Sequence, residues 1–148
     1  MRSKLVILPE PNTAFDLRDF QLADEQAVIK LWQTCKLLWP WNNPHRYIRR
    51  KLAFSDGGFW VGHVGPRLIA SIMVGYDGHR GSVNYLAIDP AFSGRGFGRL
   101  LMKRAEAFLS QTGVRKSIYA CAGKMRLFSL FITVWPMTRV MWLFSAKG

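Results

Sequence analysis

The chain from residue 83 to residue 109 reads V-N-Y-L-A-I-D-P-A-F-S-G-R-G-F-G-R-L-L-M-K-R-A-E-A-F-L, and this stretch decides the fold. A short apolar strand stops at Asp89-Pro90, a loop carries three glycines between residues 94 and 98, and an amphipathic helix begins near Arg99. The first turn of a helix leaves backbone N–H groups without partners, and the helix dipole is positive at that end. The stretch therefore predicts a site for an anion, such as a phosphate-bearing ligand.

The residues before this stretch predict further strands and helices. Alternating apolar and polar residues from Phe15 to Phe20 predict a first strand, and helices are predicted from Asp24, as N-cap, to about Leu38 and from about His45 to Phe54. Turn signals at Gly65-Pro66 and Asp77-Gly78 separate three apolar runs, which indicates three consecutive antiparallel strands. These strands are predicted at Phe59 to Val64, Leu68 to Tyr76 and Ser82 to Ile88.

Length and composition fit one globular domain in the cytoplasm. The chain has 148 residues, 49% of them hydrophobic, and a mean hydropathy of +0.03. Cys35 and Cys121 lie far apart and form no C-x-x-C pair, so neither a zinc site nor a disulfide framework is indicated. Residues 1–12 contain no apolar run of signal-peptide length. A reduced, cytoplasmic setting is therefore expected.

The formal net charge of +12 is unevenly distributed. A charge of this size ordinarily suggests nucleic acid or an anionic surface as a partner. Residues 116–148, however, hold five of the 21 Lys and Arg residues and none of the nine Asp and Glu residues. Because much of the excess positive charge comes from residues 116–148, no specific nucleic-acid partner is predicted.

Two common nucleotide-binding motifs do not fit the glycine loop. A P-loop ends in Gly-Lys followed by Ser or Thr, whereas Gly98 is followed by Arg99-Leu100. A dinucleotide-binding loop is G-x-G-x-x-G with an acidic residue about 20 positions later. This loop is G-x-G-x-G, it follows three strands linked by hairpins, and no acidic residue follows Glu106.

The loop resembles the signature of the GNAT superfamily of acetyl-CoA-dependent N-acetyltransferases. That signature is a strand ending L-x-V-x-P, then R/Q-x-x-G-x-G/A, then a helix that begins with leucines. Here it reads Leu86-Ala87-Ile88-Asp89-Pro90, then Ser93-Gly94-Arg95-Gly96-Phe97-Gly98, then Arg99-Leu100-Leu101. Segments 37–42 (L-L-W-P-W-N) and 75–81 (G-Y-D-G-H-R-G) are similar to one branch of small bacterial members.

The resemblance implies a fold, a cosubstrate and a set of contacts. The implied fold is α+β of GNAT type, a mixed, mostly antiparallel sheet flanked by helices, over residues 14–115 after an extension at 1–13. The implied cosubstrate is acetyl-CoA, with no metal. Backbone groups of Leu86, Ala87 and Ile88 would pair with the pantetheine arm. The pyrophosphate would bind at Ser93, Gly94, Arg95, Gly96, Phe97, Gly98 and Arg99. Ser93 stands where the family has arginine or glutamine, a change expected to weaken binding rather than abolish it, because backbone N–H groups hold the pyrophosphate. The alternative is a glycine-rich turn without a ligand.

The implied reaction is transfer of acetyl from acetyl-CoA to a primary amine by direct attack in a ternary complex. It requires a base for the ammonium, a donor for the thioester oxygen and an acid for the thiolate. Asp77, His79 and Tyr85 are the candidate catalytic residues, although Asp77 also suits a plain Asp-Gly turn and Tyr85 also suits packing on the sheet. The acceptor would be a small molecule or a peptide amine, and a homodimer stays open.

Residues 116–148 depart from the family pattern. The pattern requires a fifth strand after Gly113 and then a helix with Asn, Ala and a Phe-Tyr pair at fixed spacing, and none of these is recognised here. A frameshift near Ser117 is one hypothesis, because reading each codon one base earlier permits a string with the Asn-x-Ala spacing and the Phe-Tyr pair. The tail would then be an out-of-frame product.

A membrane anchor from Met125 to Phe144 is the competing interpretation of this tail. The segment has about the length of a bilayer-spanning helix, but Arg139 and Pro136 lie inside it, so membrane association is not expected.

An alternative function also follows from the atypical tail. It is a catalytically inactive or truncated GNAT-like product that acts at most as a weak CoA-binding or basic interaction module.

Overall fold

The computed structural model describes residues 14–54, 57–78, 81–113, 117–119 and 140–142, and these residues form one mixed sheet with three α-helices. The strands are β1 (Phe15–Asp19), β2 (Gly58–Val64), β3 (Arg67–Tyr76), β4 (Gly81–Ile88), β5 (Ser117–Tyr119) and β6 (Val140–Trp142). The helices are α1 (Glu25–Thr34), α2 (Pro44–Ala53) and α3 (Phe97–Gln111), with short 3-10 turns at Leu22–Asp24 and Pro90–Phe92.

The sheet follows the order of the chain from β1 to β6. Strands β1 to β4 pair antiparallel, and β5 pairs parallel with β4 and with β6. The predicted α+β fold, a mixed and mostly antiparallel sheet flanked by helices, is confirmed. Each of the first four strands begins and ends within one residue of its predicted bounds, because turn residues and apolar runs mark strand ends locally.

The start and end of α1 differ from the prediction. Asp24 is not a side-chain N-cap: its carboxylate accepts from the backbone N–H of Gln21 and from the guanidinium of Arg18, at 2.8 Å each. The helix ends at Thr34 rather than near Leu38, since the next turn closes through Lys36 at φ +57°. Contacts with residues just before the helix, and the left-handed backbone at Lys36, therefore set its ends.

Helix α2 is bounded by chemistry that the sequence carries. Pro44 occupies its first turn, and the side chain of Asn43 accepts a hydrogen bond from the backbone N–H of Arg46 at 3.1 Å. The predicted start at His45 lies one residue inside the observed helix.

Two apolar clusters lie on opposite faces of the sheet. The α1–α2 face is covered by helices α1 and α2, whose buried residues pack on Val61 and Met73. The α3 face is covered by helix α3, which packs on Ile72 and Val74. On α3 the apolar pattern predicts Leu100 inside, but this side chain is 45% exposed and Met102 is buried instead.

The expectation of no fifth strand after Gly113 is wrong. Residues 117–119 form β5, which pairs with residues 81–83 of β4. The extension at 1–13 and the greater part of segment 125–144, which was considered as a membrane anchor, lie outside the described residues. Within the described ranges, no helix is long and apolar enough to cross a membrane.

Candidate functional site

Strand β4 carries a β-bulge in the middle of the sheet. Ser71 pairs with Ala87 and Met73 pairs with Asn84, so Tyr85 and Leu86 together lie opposite the single residue Ile72. Tyr85 has a φ of +50°, a conformation that residues other than glycine seldom adopt. As a result, Asn84 and Tyr85 both line the same cavity, whereas successive residues of a regular strand point to opposite faces.

A buried hydrogen-bond chain holds this bulge from inside the α1–α2 face. The indole N–H of Trp32 donates to the hydroxyl of Ser71 at 2.8 Å, and that hydroxyl donates to the backbone carbonyl of Tyr85 at 3.0 Å. Trp32 and Ser71 are both fully buried, and the Trp32 ring stacks on the Tyr85 ring at 4.2 Å between centroids. Helix α1 therefore positions both the backbone and the side chain of Tyr85.

A cavity of about 390 Å³ opens beside the bulge. Helix α2 and its C-terminal end, the start of β2, and strands β3 and β4 form its walls. Its lining residues are Tyr47, Arg50, Lys51, Phe54, Gly57, Met73, Gly75, Tyr76, Asn84 and Tyr85. Its volume lies within the range that holds a small-molecule ligand.

Tyr85 is half-buried in the wall of this cavity. Burial, and secondarily the nearby phenol of Tyr47, raise the pKa of the Tyr85 hydroxyl. The phenol consequently stays protonated at neutral pH. It is suited to donate a proton or a hydrogen bond, not to act as a base.

The glycine loop has the geometry of an anion site. Gly94 and Gly96 adopt φ values of +78° and +84°, and α3 begins directly after Gly96. In the described part of the chain, no protein acceptor faces the backbone N–H groups of residues 94–99. A side chain at Gly94 or Gly96 would meet open space, so the αL backbone and not crowding is what these positions require of glycine. The predicted residues Ser93 and Arg95 are exposed, and Arg95 lies over the ring of Phe92 at 5.1 Å.

Among the described residues, one edge of β4 is paired over only part of its length. The described residues pair that edge only at Gly81–Val83, through β5, and place no strand beside residues 84–88. Leu86, Ala87 and Ile88, predicted to face the pantetheine arm, lie on this stretch, and Leu86 is itself part of the bulge. The bulge, these residues and the glycine loop therefore follow one another along the chain.

The candidate catalytic residues are distributed unevenly. Tyr85 lies in the wall of the cavity. Asp77 is exposed and follows Tyr76, which lines the same cavity. His79 lies outside the described residues. The described part of the chain contains no cluster of three or more His, Cys, Asp or Glu side chains placed to hold a metal ion.

Sequence reasoning missed several residues of this site. From the sequence, Tyr47, Arg50 and Lys51 are recognised only as residues of the second helix, and Trp32 and Ser71 only as residues of the first helix and of a predicted strand. Helical spacing would have placed Tyr47, Arg50 and Lys51 on one stripe. No sequence signal connects Trp32 with Ser71, 39 residues apart.

Comparison with known proteins supports one family. The profile of the acetyltransferase (GNAT) family matches residues 26–127. An acetyltransferase of Yersinia enterocolitica is 46% identical over 101 residues, which cover 68% of this chain and 72% of that protein. An acetyltransferase of Pectobacterium atrosepticum is 45% identical over the same shares. The crystal structure of an acetyltransferase from Streptococcus agalactiae has a TM-score of 0.67 at 12% identity and covers 80% of each chain, which shows a shared fold.

Proposed function

Because the chain belongs to the GNAT family of acetyltransferases, we propose that it transfers the acetyl group of acetyl-CoA to a primary amine by direct attack in a ternary complex. The observation that carries this proposal is the continuity of four features within residues 84–99. The bulge, the end of β4 that has no partner strand among the described residues, the glycine loop and the first turn of α3 follow one another along this segment.

In the proposed binding mode, the loop holds the negatively charged end of acetyl-CoA. The N–H groups of residues 94–99, together with the α3 dipole, favour the pyrophosphate. Backbone groups of Leu86, Ala87 and Ile88 pair with the pantetheine arm along that end of β4. This arrangement directs the thioester toward the bulge at Tyr85.

In the proposed reaction, the nitrogen of a neutral amine attacks the thioester carbonyl carbon. A C–N bond forms, the C–S bond breaks, and the CoA thiolate leaves. Asp77 or His79 accepts the proton that the amine loses, and the phenol of Tyr85 donates a proton to the thiolate. The phenol of Tyr85, whose pKa burial raises, is protonated before the reaction, as this donor role requires. The proposed setting is the cytoplasm, for which the lack of a cysteine framework in the sequence is the support.

Two measurements on the full chain test the proposal. In thermal denaturation, acetyl-CoA at about 100 times its Kd should stabilise the protein by about 2.7 kcal/mol and raise its Tm. In an assay of CoA release with a panel of primary amines, Tyr85→Phe should lower kcat by about 100-fold while the KM for acetyl-CoA stays close to that of the wild type. Absence of any Tm shift, or release of CoA that does not depend on an amine, would contradict the proposal.

The out-of-frame origin of the tail remains a hypothesis of its own. The match to curated relatives covers 101 residues and leaves about a third of the chain unmatched, whereas the family profile extends to residue 127, ten residues beyond Ser117. The DNA sequence of the gene, together with the intact mass of the natural product, tests it. We expect the alternative frame after residue 116 to encode the Asn-x-Ala spacing and the Phe-Tyr pair, and a gene without such a match would refute the hypothesis.

A further inference from the structure

We propose that the acceptor amine carries a negatively charged group, a carboxylate or a phosphate, which binds beside Arg50 and Lys51 in the wall of the cavity. This inference rests on the proposed function, because it assigns the cavity to the acceptor. It goes further by naming the chemical class of the acceptor.

Helix α2 presents one continuous stripe to the cavity. Tyr47, Arg50 and Lys51 line it at the i, i+3 and i+4 spacing of one helix face, and Phe54, directly after the helix, lines it too. Ile48 is fully buried against the α1–α2 face, which fixes the rotation of the helix. The two cations are therefore held toward the cavity by the packing of α2.

The charge of the described lining is positive and uncompensated. It contains Arg50 and Lys51 and no carboxylate. The ion pairs of the described residues join Arg18 with Asp24, His45 with Glu25, His63 with Asp24, and Arg67 with Asp89, so none of them uses either cation. A bound anion would supply a counter-charge that the described lining does not contain.

Lys51 is the more constrained of the two cations. Its side chain is half-buried, and its ammonium donates to the backbone carbonyl of Val74, a neutral partner. Burial lowers the pKa of Lys51. An anion placed beside this ammonium would favour its charged form and would accept the hydrogen bonds that Val74 leaves unused.

The same cations disfavour a purely cationic acceptor. A polyamine or simple ammonium entering the cavity would be repelled by Arg50 and Lys51, whereas a molecule with an amine at one end and an anion at the other would be oriented. Its anionic group would lie beside Arg50 and Lys51, and its amine would lie near Tyr85, which lines the same cavity. The side chains of Phe54 and Met73 provide apolar contact for a short carbon chain between the two ends.

Matched pairs of amines test the proposal on the full chain. We would measure kcat/KM at saturating acetyl-CoA for 4-aminobutyrate against butylamine and for phosphoethanolamine against ethanolamine, which separates carboxylate from phosphate. The anionic member of at least one pair should be favoured by about tenfold or more, the typical value of a charge-assisted hydrogen bond. Arg50→Gln and Lys51→Met should each reduce this preference by about tenfold, and Lys51→Arg should retain most of it.

Arg49→Gln is the matched control. Arg49 is exposed on the same helix and does not line the cavity, so this variant removes one positive charge without touching the proposed site. Its preference for anionic amines should equal that of the wild type. Thermal denaturation of every variant checks that each is folded at the assay temperature.

The outcomes separate this inference from the proposed function. Equal kcat/KM values within both pairs would overturn the inference while the acetyltransferase activity stands. An equal loss of the preference for anionic amines in Arg49→Gln and Arg50→Gln would overturn it too. If no amine is acetylated, the proposed function fails. Calorimetric titration with phosphoethanolamine and 4-aminobutyrate then tests, independently of turnover, whether the cavity binds an anion. Binding that Arg50→Gln weakens and Arg49→Gln does not would support the site, and equal binding by both variants, or no binding to the wild type, would overturn it.

Discussion

Two buried tryptophans show how differently the faces of the sheet are built. On the α1–α2 face, the indole N–H of Trp32 donates to Ser71, and the ring stacks on Tyr85 next to a cavity. On the α3 face, Trp60 packs edge-on against Phe108, under the guanidinium of Arg104, and its N–H has no acceptor among the described residues. The first tryptophan positions polar groups at the site, and the second mainly fills volume.

This difference indicates that the α3 face fixes the position of a helix, whereas the α1–α2 face holds the residues of the candidate site. Helix α3 packs closely on the sheet, and this packing holds the N–H groups of its first turn in a fixed position. The α1–α2 face keeps a cavity and a strained backbone position at Tyr85. Such strain persists only where the surrounding contacts enforce it.

The largest expected effect compares core truncations on the two faces. Leu101 is fully buried on the α3 face, whereas Met73 is buried but borders the cavity on the α1–α2 face. Leu101→Ala should lower the free energy of unfolding by about 3 kcal/mol, and Met73→Ala should lower it by less, because Met73 has fewer packed neighbours to lose. Urea denaturation measures both values. An equal or larger loss in Met73→Ala would show that the two faces are equally close-packed.

The next effect concerns the hydrogen-bond chain behind the bulge. Ser71→Ala leaves the N–H of Trp32 and the carbonyl of Tyr85 unpaired in the interior, which should cost about 2 kcal/mol of stability. It should also lower kcat at temperatures well below the Tm, because the bulge is then held less firmly. Ser110→Ala on the exposed side of α3 is the control and should change neither value. An unchanged kcat in Ser71→Ala would show that this hydrogen-bond chain has only a structural role.

A smaller effect compares two glycines with the same backbone requirement. Gly96 at the start of α3 and Gly65 in the β2–β3 turn both have positive φ, and a Cβ at either would meet open space. Alanine at either position should cost about 1 kcal/mol of stability. Only Gly96→Ala should weaken acetyl-CoA binding, by about fivefold, measured as the shift in its Kd. A similar loss of affinity in Gly65→Ala would place the effect outside the loop.

The smallest effect is a pH dependence at the start of α1. The hydrogen bond from Arg18 is the largest cause that lowers the pKa of Asp24 below its ordinary value. The folded state therefore binds this proton less readily than the unfolded state, so the stabilisation is present above about pH 4 and is lost as the pH falls through the lowered pKa.

Asp24→Asn tests this contribution. It should flatten the acid side of the stability curve by at most about 1 kcal/mol, since Arg18 is partly exposed to solvent. Parallel curves for wild type and Asp24→Asn would contradict the assignment.

Much of the fold could be predicted from local sequence signals. The Gly65-Pro66 and Asp77-Gly78 pairs mark turns, and Asn43-Pro44 marks the start of α2, because each of these residues restricts the backbone where it stands. The glycine loop was recognisable for the same reason. Leu100 was assigned to the wrong side of α3 because an apolar stripe alone does not specify the rotation of a helix.

The sequence by itself determined the order of the elements and the chemistry of the glycine loop, since helix periodicity, strand runs, caps and turns all act over a few residues. Only the tertiary structure decided the bulge at Tyr85, because it depends on the register between β3 and β4, and the hydrogen bond that joins residues 32 and 71. It also decided that Tyr47, Arg50 and Lys51 of α2 line a cavity. The free energy of such long-range contacts depends on which elements meet, and no local pattern of residues specifies that.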